Sequence, residues 1–195
     1  MGKNMQKIVL AITGASGTIY AYQFAKILAT LGCELHLIFS ETGLQVAKYE
    51  IGTNKLHHLK KLAKATYNTK DFWSAPASGS GIFDAMVILP CTMGTLGAIA
   101  NGISNNLIHR AADCFLKEQK PLIAAVRESP FNHIHIDNML KLSRAGGTIF
   151  PAMPAFYTKP KDLDEMAFFF AGRIAQFLGF DVKGLPPWRP EPQKN

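Results

Sequence analysis

Arg127 and Glu128 directly follow the apolar run Leu122-Ile-Ala-Ala-Val126, which Lys120-Pro121 precedes. Such a run reads as a strand buried on both faces of a parallel sheet. Charged residues at the carboxyl end of that strand stand where open α/β sheets bind their ligands. Arginine brings a fixed fork of donors suited to phosphate, and the glutamate beside it brings an acid or a base. The alternative is a solvated strand end whose Arg and Glu pair with each other. Two other loops offer related chemistry. Gly14-Ala-Ser-Gly17 separates a first strand from a first helix, where backbone amides and the helix dipole favour an anion or a cofactor edge. It lacks the full dinucleotide fingerprint, and Ser40 rather than an acid ends the second strand, so an NAD-type ribose contact is unsupported while flavin mononucleotide (FMN) stays open. An ordinary tight turn is the plain alternative. Pro90-Cys-Thr-Met-Gly-Thr95 is a second loop of this type, with the Thr92 and Thr95 hydroxyls and the Met93 and Gly94 amides available to a phosphate. Cys91 has no adjacent base and reads as a packed side chain.

Further cations lie on helices. Arg110 and Lys117 are two turns apart and share one face about 10 Å long, with Asp113 placed to pair with Lys117 at i,i+4. Arg173 stands nearly in line with Phe170 and Phe177, either as a snorkelling side chain or as a buried anion ligand.

The elements that must hold these residues alternate strand and helix. Strands are expected at Lys7–Ile12, Glu34–Phe39, Ala85–Leu89, 122–126 and Thr148–Phe150. Helices are expected after Gly17 up to Gly32, over Thr42–Glu50, through the basic His57-His-Leu-Lys-Lys61 segment, at about 95–102, at 105–118, and near 133–145. A last helix starts at Asp162, with Glu165 completing a capping box, and stops at Gly179. The fold class is α/β, a single-domain doubly wound parallel sheet of the Rossmann or flavodoxin-like kind over residues 1–195, with a Pro-rich tail at about 183–195.

Composition narrows the function. The 195 residues carry a net charge of +7, with 48% hydrophobic and 18% charged residues, so the chain is neither disordered nor too small for a full core. No apolar run approaches a membrane span, and no signal peptide is expected, which points to the cytoplasm. Three cysteines without a Cys-x-x-Cys pair argue against a disulfide framework or structural zinc. His133-Ile-His135 alternates as strand neighbours would, but carboxylate support is thin, so no metal site is expected. The basic residues are dispersed, which favours small anionic ligands over nucleic acid.

Eight segments occur in order: Thr13-Gly-Ala-Ser-Gly17, Pro76-Ala-Ser-Gly-Ser80, Pro90-Cys-Thr-Met-Gly-Thr-Leu96, Asn106-Leu-Ile-His-Arg-Ala-Ala-Asp113, Leu116-Lys-Glu118, Arg127-Glu-Ser-Pro130, Ile134-His-Ile-Asp-Asn-Met-Leu140 and Pro151-Ala-Met-Pro-Ala-Phe-Tyr157. Together they resemble the flavin prenyltransferases of the UbiX type, from about residue 7 to Trp188. The resemblance implies a metal-independent enzyme that joins a dimethylallyl group from dimethylallyl phosphate to N5 and C6 of reduced FMN. The prenylated FMN would serve a UbiD-type decarboxylase. Carried over by position, it implies flavin contacts at Gly14, Ala15, Ser16, Ser40, Thr92, Met93, Gly94, Thr95 and Arg127, and prenyl-phosphate contacts at Arg110, Lys117, Tyr157 and Arg173. Proton handling falls to Ser16 and Glu128, and Glu50, Trp73 and Trp188 are further active-site positions. It also implies a homo-oligomer, a dodecamer, whose neighbouring subunits supply some of these residues; Glu50 and Trp188 are expected to come from a neighbour. Thr92 stands where Ser is common, and His109 where Glu is often seen. Flavoprotein decarboxylases acting on cysteine peptides share features over Pro90–Leu107, but this chain has no His between residues 59 and 108 and carries Arg127-Glu-Ser-Pro130 where a Pro-Ala-Met-Asn segment belongs. A non-catalytic FMN-binding subunit is the rival from a different class.

Overall fold

The computed structural model describes residues 6–185. Side chains alternate along each strand, and in the largely apolar central strands this lets the sheet bury both faces. In β1 (Lys7–Ile12), Ile8, Leu10 and Ile12 enter one core while Val9 and Ala11 enter the other. The strands β2 (Glu34–Phe39), β3 (Ala65–Asn68), β4 (Ala85–Cys91), β5 (Leu122–Val126) and β6 (Thr148–Ile149) complete a parallel sheet ordered β3-β2-β1-β4-β5-β6. Helices α1 (Thr18–Thr30), α2 (Glu41–Leu62) and α6 (Leu163–Phe177) cover the first core. Helices α3 (Met93–Ala100), α4 (Leu107–Lys117) and α5 (His133–Arg144) cover the second. The chain reverses its direction of growth between β1 and β4, which makes that pair the switch point where ligands bind.

Several expectations change in detail. Strand β3 was not expected: Ala65–Asn68 is too short to show a period, and tertiary pairing with β2 alone makes it a strand. The helix of Thr42–Glu50 and the basic helix are parts of one element, α2, broken at Gly52, where φ is 72°. Pro90 and Cys91 belong to β4, not to a loop, and a bulge at that point shifts the β4–β5 register. The helix expected at 95–102 begins earlier, at Met93, because Thr92 caps it. Asp162 accepts from the Glu165 amide, but the Glu165 carboxylate takes the Lys161 amide, so the capping box is half made. His133 and His135 lie in the first turn of α5 rather than in a strand, and His135 forms a capping box with Asn132. Asp113 pairs with Arg110 at 2.9 Å, not with Lys117, whose ammonium reaches Glu118 at 2.6 Å. His109 is buried on α4, with Nε2 beside the Asn106 side chain at 3.3 Å. Burial lowers its pKa.

Gly43, in the first turn of α2, lies against β1: a β-carbon there would collide with the Ile12 carbonyl oxygen, a backbone atom that cannot swing aside. Helix propensity alone says Gly43→Ala should stabilise by about 1 kcal/mol. The contact reverses the sign, and the variant should lose about 1–3 kcal/mol in urea unfolding, as overpacked sites do. A midpoint at or above the parent's would show that α2 does not rest on β1 as described.

Candidate active site

Two loops leave the switch point in opposite directions, and Thr13 ties them together. Its hydroxyl donates to the Pro90 carbonyl at 2.8 Å and accepts from the Thr92 amide at 2.9 Å. Beyond it, Gly14 packs so closely on Thr42 that a β-carbon would sit 2.6 Å from the Thr42 methyl. Ala15 is buried and Ser16 is exposed. Gly17, at φ 113°, turns the chain into α1 without offering a side-chain cap.

The cap comes from Glu50. Its carboxylate accepts the Gly17 amide at 2.9 Å and the Thr18 amide at 2.8 Å, so an internal anion occupies the amino end of α1. Burial pushes the Glu50 carboxyl up, but the Ser16 hydroxyl and these amides outweigh it and hold the pKa below the usual range. Glu50 therefore belongs to its own chain's loop; a neighbour is not needed to bring it, contrary to expectation. The sequence conceals this contact because Glu50 and Gly17 are 33 residues apart.

With α1 occupied, the amino end of α3 is the better anion site. Thr92 caps it, its hydroxyl accepting from the Thr95 amide at 3.2 Å and lying 2.9 Å from the Thr95 hydroxyl. First-turn amides have no intrahelical acceptor, so those of Met93 and Gly94 suit an anion. A β-carbon on Gly94 would meet nothing within 4 Å, so a ligand can approach this backbone closely. Ser40 caps α2 in the same way, accepting from the Gly43 amide at 2.9 Å, and keeps its own proton to donate. Cys91 beneath is fully buried, which pushes its thiol up to about 12 and leaves it inert.

Arg127 and Glu128 stand exposed at the carboxyl end of β5, in a cleft with Phe131, Ala152 and Met153. The Glu128 carboxylate accepts the Ser129 amide at 2.9 Å. Tyr20 links this cluster to the Glu50 loop: burial pushes its phenol up, Arg127 acts against that and Glu50 adds to it. The Tyr20 ring packs 4.6 Å from Phe170, which in turn meets Phe150 edge-on at 5.7 Å. Phe150 and Phe170 wall a cavity of about 260 Å³ that also contains Tyr157 and Arg173. Arg173 is hydrogen-bonded to Gln176 at 2.5 Å. Sequence reasoning missed Thr13 and Tyr20. A hydroxyl residue closing the otherwise apolar strand Ile8–Ile12 was the available signal for Thr13.

One protomer does not bring all the expected phosphate ligands together. Arg110 and Lys117 ride on α4 and Arg173 on α6, which cover opposite faces of the sheet. Helix α4 starts near the carboxyl edge, where the Leu107 amide meets the Thr69 carbonyl, and runs about 16 Å toward the amino edge. There its last turn, with Leu116, borders a cavity shared with Ala85 and Thr148, the first residues of their strands. Arg110 is held by the Ala77 carbonyl at 3.1 Å and by Asp113. Trp73 is wholly exposed on a different loop. Trp188 lies outside the described residues. Among those residues, no group of three His, Cys, Asp or Glu side chains is arranged to hold a metal, and no helix is long and apolar enough to cross a membrane.

A flavoprotein family model matches residues 2–168. The flavin prenyltransferase UbiX of Methanocaldococcus jannaschii is 46% identical over 182 residues, covering 93% of this chain and 98% of that protein. A crystal structure of AnUbiX (PadA1) in complex with FMN and dimethylallyl pyrophosphate superposes with a TM-score of 0.92 at 35% identity, covering 96% of this chain and 99% of the other. A dodecameric FMN-dependent UbiX-like decarboxylase from Escherichia coli O157:H7 follows at 0.88 and 32%, covering 95% and 100%. At such identity over nearly the whole length, with the switch-point loops and the Arg127-Glu128 strand end in place, the chain belongs to the flavoprotein family and, within it, to the UbiX-type flavin prenyltransferases.

Proposed function

We propose that the protein joins the dimethylallyl group of dimethylallyl phosphate to N5 and C6 of reduced FMN, releasing phosphate, and that the prenylated flavin goes to a UbiD-type decarboxylase. The observation that carries this reading is the meeting, at one sheet edge, of an open helix-end anion site with Arg127-Glu128, next to an aromatic cavity holding Tyr157 and Arg173.

FMN fits the switch point: the α3 amino end with Thr92, Met93, Gly94 and Thr95 would take its phosphate, Ser40 would donate to it, and Gly14, Ala15, Ser16 and Arg127 would border the ring. Reduced flavin supplies the nucleophilic nitrogen and the ring carbon that take up the five-carbon unit. The chain's own contribution is binding, orientation and proton handling. Tyr157 and Arg173 hold the prenyl phosphate by charge-assisted bonds, for which no metal is required. The aromatic rings around them shed water and favour positive charge on the departing allyl group. Glu128 accepts a proton at the solvent-facing side of the cleft, and Ser16, hydrogen-bonded to Glu50, handles one at the loop.

Lys117 and Arg110 complete the phosphate site from a neighbouring subunit, and Trp73 and Trp188 serve as further neighbour-supplied walls. The placement of α4 and α6 on opposite faces and the full exposure of Trp73 support this. A closed assembly like the dodecameric E. coli relative would bring such edges together. A cytoplasmic setting belongs to the same proposal; Cys33, Cys91 and Cys114 are free thiols, as a reducing compartment keeps them.

Three measurements test this. Prenylation by Lys117→Ala and by Arg173→Ala should each fall strongly, since a charge-assisted bond is worth about 1.5–3 kcal/mol, while FMN still binds. Coassembling the two inactive variants should restore roughly a quarter of parental activity, because some sites then combine an intact Lys117 with an intact Arg173. A mixture that stays inactive would place both residues in one subunit's site. Glu128→Gln should bind FMN normally and turn over about 10²–10⁴-fold more slowly. Fully cyclised product at the parental rate would remove Glu128 from proton transfer.

A further inference from the structure

We propose that Thr13 is a positioning residue for the flavin site, its hydroxyl setting the spacing between the Gly14–Ser16 loop and the amino end of α3. The proposal rests on the FMN reading above, and its test separates the two.

The sheet ladder does not reach these loops. Paired residues between β1 and β4 end at Ala11 and Ile88, and the β4–β5 register shifts immediately afterwards, between Ile88 and Cys91. Beyond that point Thr13 supplies the cross-strand bonds. Its amide donates to the Pro90 carbonyl at 3.3 Å, its hydroxyl donates to the same carbonyl at 2.8 Å, and its hydroxyl accepts the Thr92 amide at 2.9 Å. Thr92 is the residue whose own hydroxyl caps α3, so the bond from Thr13 reaches the helix end directly. The side chain is 1% exposed, with its proton and an acceptor site both engaged inside the protein. It is therefore placed to hold two ligand-bearing loops in register and not to touch a ligand itself. Valine would fill the same space and keep the β-branch. It would leave the half-buried Thr92 amide without this acceptor.

Titrating FMN into the full-length protein and following flavin fluorescence tests this, with circular dichroism melts reporting the fold. Thr13→Val is expected to bind FMN about tenfold or more weakly at a temperature where it remains folded. Thr13→Ser keeps the hydroxyl and is expected to stay within about twofold of the parent. Unchanged FMN affinity in Thr13→Val, with or without a lower melting temperature, would overturn the proposal, as would a loss in Thr13→Ser equal to that in Thr13→Val. Should Thr13→Val not fold, amide exchange in the flavin-free parent and in Thr13→Ser decides: the Thr92 amide is expected to be protected in both, and exchange at the rate of exposed loop amides would overturn the proposal. A parent that does not bind FMN would instead count against the FMN reading.

Discussion

A parallel sheet covered on both faces sends every strand out through the same edge, and that constraint governs this protein. Four strands, β1, β2, β4 and β5, deliver Gly14, Ser40, Thr92 and Arg127 to one rim, although up to 113 residues separate them in the chain. The rim opens only between β1 and β4, because the helices after β1 and β2 cover one face and those after β4 and β5 cover the other. The cleft for a flat ligand is thus a consequence of winding direction. Thr13 keeps it at a set width past the end of the ladder.

Two helices begin at this cleft, and the protein uses them differently. The α1 amino end is satisfied from within by Glu50, a carboxylate favoured there by about 0.3–1 kcal/mol of helix-dipole attraction. The α3 amino end is capped only by the neutral Thr92 hydroxyl and has space above Gly94. An external phosphate meets a competing negative charge at the first and a neutral capping hydroxyl at the second. The same contact gives Glu50 its low pKa and places the Ser16 hydroxyl beside an ionised group.

The remaining cationic groups are divided between layers. Arg173 and Tyr157 share an aromatic cavity on the α1–α6 side, while Arg110 and Lys117 are held on α4 by local carboxylates and a carbonyl. No side-chain rotation bridges a sheet. Were all four groups to meet one ligand, the assembly would have to bring them together, and Lys117 would first have to give up its pairing with Glu118.

The sequence by itself determined the buried parallel strands, their alternation with helices, and the rim positions of Gly14–Ser16, Thr92–Thr95 and Arg127–Glu128. These are local signals: an apolar run, a glycine-rich break and a capping hydroxyl each report on their own neighbourhood. Only the tertiary structure decided that Ala65–Asn68 is a strand, that Glu50 closes over Gly17, and that Thr13 joins two loops 77 residues apart. Each of these is a contact between segments whose own composition is unremarkable for its role, and distance in space carries no trace in residue spacing. The face on which a helix lies is of the same kind. The seven-residue interval from Arg110 to Lys117 correctly put both on α4, but which side of the sheet α4 covers, and hence which partners its cations can reach, follows from the crossover hand and the order of the strands.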